Sequence, residues 1–174
     1  MAALRPQADR MGLVIRPLEK RDGAAVREIL VACGVFDDEE RRVAIELIAE
    51  GVASGLAGHY PVFAAERDGA VRGYVCIGRV PLTQGTWHLY WIAVHPADQA
   101  RGIGRALQTY AESFVRSLGG KRLVLETSSR TDYERARSFY RRAGYAQVGC
   151  VRDFYRPGDD CIVFCKVLAA APDA

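Results

Sequence analysis

The sequence has no two cysteines separated by two residues, no HExxH and no HxxxH. Its five cysteines (Cys33, Cys76, Cys150, Cys161 and Cys165) are odd in number, and three stand in apolar, strand-like runs. That pattern argues against a disulfide framework and against a zinc site, and leaves buried free thiols in a reducing cytoplasm as the expectation. With only three histidines, His59, His88 and His95, no metal is expected. No stretch approaches the roughly 18 apolar residues of a membrane span. The opening MAALRPQADRM lacks the apolar run of a signal peptide. A net charge of +3 over 174 residues gives no bulk attraction for nucleic acid. The expectation is a cytoplasmic protein with neither nucleic acid nor membrane as partner.

What is present suits a single soluble domain: 49% of residues are apolar and 26% charged. Residues 12–18 read as a strand. Asp22 can cap a helix that Gly34 ends, and Asp37 or Asp38 can cap a second. The runs 60–67 and 70–80 flank Asp68-Gly69, a strong hairpin signal, and 86–95 adds a third strand. From Gly102 to Leu118 the apolar positions Ile103, Leu107, Tyr110, Ala111, Phe114 and Val115 follow one helix face. A strand at 121–127, a helix at 133–143 and a hairpin of 145–152 with 160–168 complete the chain. The expected fold class is α/β (α+β). An antiparallel meander passes into a β-α-β crossover, in a mixed sheet of about six or seven strands with about four helices. Residues 12–168 form one domain in this reading, and 1–11 and 169–174 are disordered tails.

The segment VHPADQARGIGRAL sets two glycines where a helix must nucleate, although each costs about 1 kcal/mol against alanine in a helix. A helix start offers unpaired N–H groups and the positive end of the peptide dipole. Glycine lets a phosphate approach that backbone, and Arg101 and Arg105 add charge. A structural turn is the other reading of this segment. A dinucleotide fingerprint would need glycine where Leu107 stands, and no GxxxxGK[ST] occurs.

Gln99-x-x-Gly102-x-Gly104, preceded by WIAVHP and followed by RALQTY, resembles the pyrophosphate motif of the GCN5-related N-acetyltransferase (GNAT) family. LVLETSS followed by ARSFYRRAGY is similar to the family's later strand and helix. The resemblance implies the GNAT fold over 12–168 and acetyl-CoA as cosubstrate, without a metal. It implies that Ile92, Ala93 and Val94 pair with the pantetheine arm. Gln99, Ala100, Arg101, Gly102, Ile103, Gly104 and Arg105 then form the pyrophosphate loop. Tyr140 matches the family's general acid. Glu126 and His88 match two positions where relatives keep a base, and a water relay is a third route. Tyr133 stands where many relatives carry a CoA-contacting asparagine.

Acetyl transfer to an amine needs those roles. An alkylamine of pKa about 10.4 must lose a proton, the carbonyl oxygen must be stabilised, and the thiolate leaves faster beside a donor. The expected function is transfer of acetyl from acetyl-CoA, in a ternary complex, to a primary amine of a small molecule or peptide. A non-catalytic acyl-CoA sensor is the alternative. The resemblance also implies an acceptor wall carrying Phe36, Asp37, Asp38, Glu39 and Glu40, with Asp153, Tyr155, Asp159 and Asp160. It leaves a homodimer open.

Overall fold

A computed structural model describes Gln7, Ala8 and residues 12–168. The remaining residues of the two expected tails lie outside it. Within the first tail, Gln7 and Ala8 form a short strand, β1 (Gln7–Ala8), paired with Ile15 and Val14. The other strands are β2 (Leu13–Pro17), β3 (Val62–Arg67), β4 (Ala70–Arg79), β5 (Thr86–Val94), β6 (Arg122–Ser128), β7 (Ala146–Arg156) and β8 (Asp159–Val167). The helices are α1 (Gly23–Cys33), α2 (Asp38–Ser54), α3 (Ile103–Ser117) and α4 (Glu134–Arg142). This is the mixed α/β class expected, an antiparallel meander followed by a crossover, with β1 as an additional short strand.

The chain divides into two compact units. The first comprises the residues up to Arg79 and Leu89–Phe114. Its strand order is β1-β2-β3-β4-β5, antiparallel from β1 to β4. Asp68 and Gly69 both have positive φ (53° and 74°), which is the type I′ turn that a two-residue hairpin requires. Successive residues of β3 face opposite sides, and both sides are covered. Val62 and Ala64 join Val26, Ile29 and Leu30 of α1 and Ala44 and Ile48 of α2 in one cluster. Phe63 faces the other way, with its ring 4.9 Å from those of Tyr110 and Phe114 on α3. Burying one such side chain contributes about 2–3 kcal/mol.

Two helices of this unit start differently. Asp37 caps α2 in a reciprocal box: its carboxylate accepts from Glu40 N–H, and Glu40 accepts from Asp37 N–H. Asp22 stands at the N-cap of α1 but does not cap it. Its carboxylate is taken by the Arg16 guanidinium at 2.7 and 2.9 Å and by Glu19 N–H at 2.8 Å. Near the end of α2, a Cβ on Gly51 would lie 2.2 Å from the Tyr60 carbonyl oxygen, so the helix rests directly on that backbone.

The second unit comprises Val80–His88 and the residues from Val115 on, with strand order β5-β6-β8-β7. Thr86, Trp87 and His88 pair in parallel with Arg122, Leu123 and Val124. β6 pairs antiparallel with β8 along its whole length. The last hairpin differs from expectation. β7 runs on to Arg156, and only Pro157 and Gly158 form the turn. A register shift between Val151 and Arg156, with Asp153 at φ 51°, absorbs the extra residues that sequence pattern reads as loop. The cysteine expectation also changes. Cys76 and Cys161 are buried, Cys33 and Cys165 partly so, and Cys150 is exposed; all five are free thiols.

Candidate functional site

The glycine loop lies in the first unit. β5 ends at Val94, whose carbonyl accepts from the Gln99 side-chain amide at 3.0 Å and from the Cys33 thiol at 3.7 Å. Gln99 therefore acts through its side chain on the protein, folding the loop back onto the strand. His95 N–H donates to Arg72 O at 2.8 Å, tying the end of β5 to β4. Ala93 is buried, and Ile92 and Val94 are partly exposed. The neighbouring Tyr90 and Trp91 both pack against the α1–α2 cluster, so the strand's strict alternation relaxes just before the expected pantetheine contacts.

Beyond Gln99 the backbone turns through two left-handed residues, Ala100 at φ 62° and Gly102 at φ 82°. Only glycine adopts the second without strain, and a Cβ there would meet no atom within 4 Å. The first α3 bond runs from Ala106 N–H to Gly102 O. The N–H groups of Ile103, Gly104 and Arg105 therefore have no acceptor within the helix. Among the described residues, no protein acceptor takes the N–H groups of residues 100–105. Arg101 and Arg105 are exposed. Buried Asp98 holds Arg101 at 3.3 Å and faces Arg72 at 3.8 Å. The loop is a set of open donors on a pinned backbone, which is what a phosphate needs.

The titratable residues expected to act lie in the second unit. His88 and Glu126 come together, with His88 Nε2 4.0 Å from Glu126 Oε1. Burial pushes the His88 imidazole below its ordinary value, and the Glu126 carboxylate partly opposes that. Tyr140 is buried on α4, with its ring 5.9 Å from Tyr145 and 6.0 Å from Phe164. Burial raises its phenol well above the ordinary tyrosine range, so it stays protonated at neutral pH. Tyr133 begins α4 with the Arg130 guanidinium 5.7 Å from its ring centre.

Several acids expected on an acceptor wall are engaged by the protein itself. Asp37 and Glu40 form the α2 cap, and Asp38 pairs with Arg41. Asp153 accepts from Gly158 N–H at 2.6 Å, and buried Asp159 accepts from the Ser128 hydroxyl. Tyr155 has a firmer place. Burial raises its phenol, the nearby Cys161 thiol adds to that, and Glu126 gives a smaller push. Sequence reasoning did not single out Arg137, which is buried in α4 and donates to Ser128 O and Arg130 O. Its i,i+3 partner Glu134 is local, but nothing near it in sequence marks the two carbonyls, which lie before α4. Among the described residues, no group of three or more His, Cys, Asp or Glu is placed to hold a metal ion. None of their helices is long and apolar enough to cross a membrane.

The model of the acetyltransferase (GNAT) family matches residues 24–145. A solved chain from Desulfovibrio desulfuricans assigned to that family is 39% identical, with a TM-score of 0.85 over 90% of this chain and 99% of that one. The N-alpha-acetyltransferase RimI of Mycobacterium tuberculosis is 36% identical over 99 residues, which span 56% of this chain and 60% of the relative's length. Salmonella typhimurium yncA, solved with acetyl-CoA, shares the fold at a TM-score of 0.70 and 24% identity, over 94% of this chain and 99% of that one. The fold and these matches define an enzyme of the acyltransferase class. The chain belongs to the GNAT family of acetyltransferases.

Proposed function

We propose that residues 12–168 act as one catalytic domain that transfers acetyl from acetyl-CoA to a primary amine of a small molecule or peptide, directly in a ternary complex. The observation that carries this reading is the open donor set at the start of α3. Unpaired N–H groups, a glycine with free space at its Cβ position and two exposed arginines suit the diphosphate of coenzyme A. Gln99 and Asp98 keep that backbone in place. Ile92–Val94 are assigned to the pantetheine arm, and Tyr133 to coenzyme A binding.

The amine nitrogen forms the new C–N bond as the C–S bond breaks. Tyr140 gives its proton to the departing sulfur, a role that suits a phenol kept neutral by burial. The proton lost from the amine goes to His88 or Glu126, directly or through water. An imidazole held neutral beside a carboxylate is a competent acceptor at pH 7. Tyr155 and Glu126 interact with each other and give the acceptor a polar, acidic surrounding, which favours a cationic amine.

The test is release of free thiol from acetyl-CoA in the presence of a panel of amines and peptides with different N-termini. Amine-dependent release is expected. No release across the panel, with coenzyme A bound, overturns the catalytic reading.

A further inference from the structure

The segment between β6 and α4 is tied down from two sides. On one side it is bonded to the start of β8. Ser128 Oγ donates to buried Asp159, Ser129 N–H donates to Asp160 O at 2.9 Å, and Asp160 N–H donates to Ser129 Oγ at 2.8 Å. Arg130 N–H closes the turn on Ser128 Oγ at 3.0 Å. These bonds fix Ser128–Arg130 as a rigid reference.

Arg137 ties α4 to that reference from the other side. Its side chain is 8% exposed. Nη1 donates to Ser128 O and, at 2.9 Å, to Arg130 O. Nη2 and Nε donate to Glu134 at 2.8 and 3.2 Å, and Ser138 and Arg141 hold the same carboxylate. Burying a guanidinium is costly unless its donors are filled, and an apolar side chain would cover the position at lower cost. What the guanidinium adds is direction. A planar fork, with Nη1 on two fixed carbonyls and Nη2 and Nε on Glu134, sets the rotation and depth of the helix, where apolar contact would let it slide. Tyr140 follows one turn later on the same helix face. Its ring neighbours, at centroid distances near 6 Å, supply bulk rather than direction.

We propose that Arg137 is a positioning residue for Tyr140, fixing α4 against Ser128–Arg130 so that the phenol is held at one place relative to the leaving group. The proposal rests on the reading of Tyr140 as the proton donor. Arg137 does not itself touch the reacting atoms.

The experiment compares R137M, R137K and Y140F by thermal melting, coenzyme A calorimetry and steady-state kinetics against pH. R137M is expected to melt cooperatively and keep its coenzyme A affinity. Its kcat is expected to fall by about 100-fold, the scale of a misplacement near 1 Å. The alkaline limb of kcat should move to lower pH, as the phenol gains water. R137K, which keeps the charge without the fork, should fall between wild type and R137M. Should R137M fail to fold, R137K carries the test, with kcat lowered and the melt intact. An unchanged kcat and pH profile in a folded Arg137 variant overturns the proposal, as does a loss confined to KM. The two readings separate in Y140F. If Y140F is inactive and R137M is unchanged, only the positioning role fails. If Y140F turns over like wild type, the donor role fails and the positioning role with it.

Discussion

His88 Nε2 stands 4.0 Å from Glu126 Oε1, on neighbouring parallel strands. The register explains the meeting. His88 pairs with Val124, and Glu126 is the next residue along β6 that shares Val124's face. Two candidates for one role, 38 positions apart in the sequence, are thus a single interacting pair.

This pairing predicts a direction in the pH profile. Burial lowers the His88 pKa, and Glu126 raises it in part. If His88 takes the proton, the acid limb of kcat/KM should lie below about pH 6.5 in the wild type. E126Q removes the upward contribution, so its acid limb should move to still lower pH. A limb unmoved in E126Q would show that the titrating base is neither Glu126 nor an imidazole coupled to it, whereas loss of turnover together with the limb would assign the base to Glu126. Rate measurements from pH 4.5 to 8 separate these outcomes.

The loop glycine predicts a split between folding and binding. At φ 82° an alanine at position 102 is strained by about 1–2 kcal/mol, but it meets no protein atom. G102A should therefore melt only a little lower. Its Kd for coenzyme A, read by calorimetry, should rise about tenfold or more, a cost near 1.4 kcal/mol. Wild-type affinity in G102A would remove the loop from the binding site.

The Asp22–Arg16 pair predicts an acid-sensitive contribution to stability. Burial pushes the Asp22 carboxyl up, but the Arg16 guanidinium and Glu19 N–H outweigh it, and the carboxyl lies below its ordinary value. A depressed carboxylate stabilises the fold above its unfolded pKa, about 3.9, and that stability is lost as pH falls through the folded value. Arg16 also holds Glu66 at 2.7 Å, so D22N leaves a nearly buried guanidinium short of one partner. Denaturant titration should give a loss of about 3 kcal/mol at pH 7 and a smaller difference from wild type near pH 3.

Local pattern carried much of the fold. The α3 face, the Asp68-Gly69 hairpin and the Asp37 cap each depend on residues close in sequence, and each formed where its chemistry requires. What was not legible depends on distant partners. Asp22 reads as a cap but is claimed by Arg16, which reaches it from β2. Asp153 and Asp159 read as attraction for an amine, whereas turn N–H groups and Ser128 occupy them. Arg137 reads as one more charge on a basic helix, because nothing nearby in sequence shows that the carbonyls of Ser128 and Arg130 await it. Resemblance singled out the loop and Tyr140 as candidates. The association of His88 with Glu126 required the β5–β6 register.

At Gly51 α2 rests directly on the Tyr60 backbone, which anchors that end of the helix. Any side chain at 51 would push the helix away from that seat, so even alanine there trades directly against packing. Glu39 and Arg42, whose side chains are 82% and 60% exposed, can by contrast be exchanged without disturbing the anchored end.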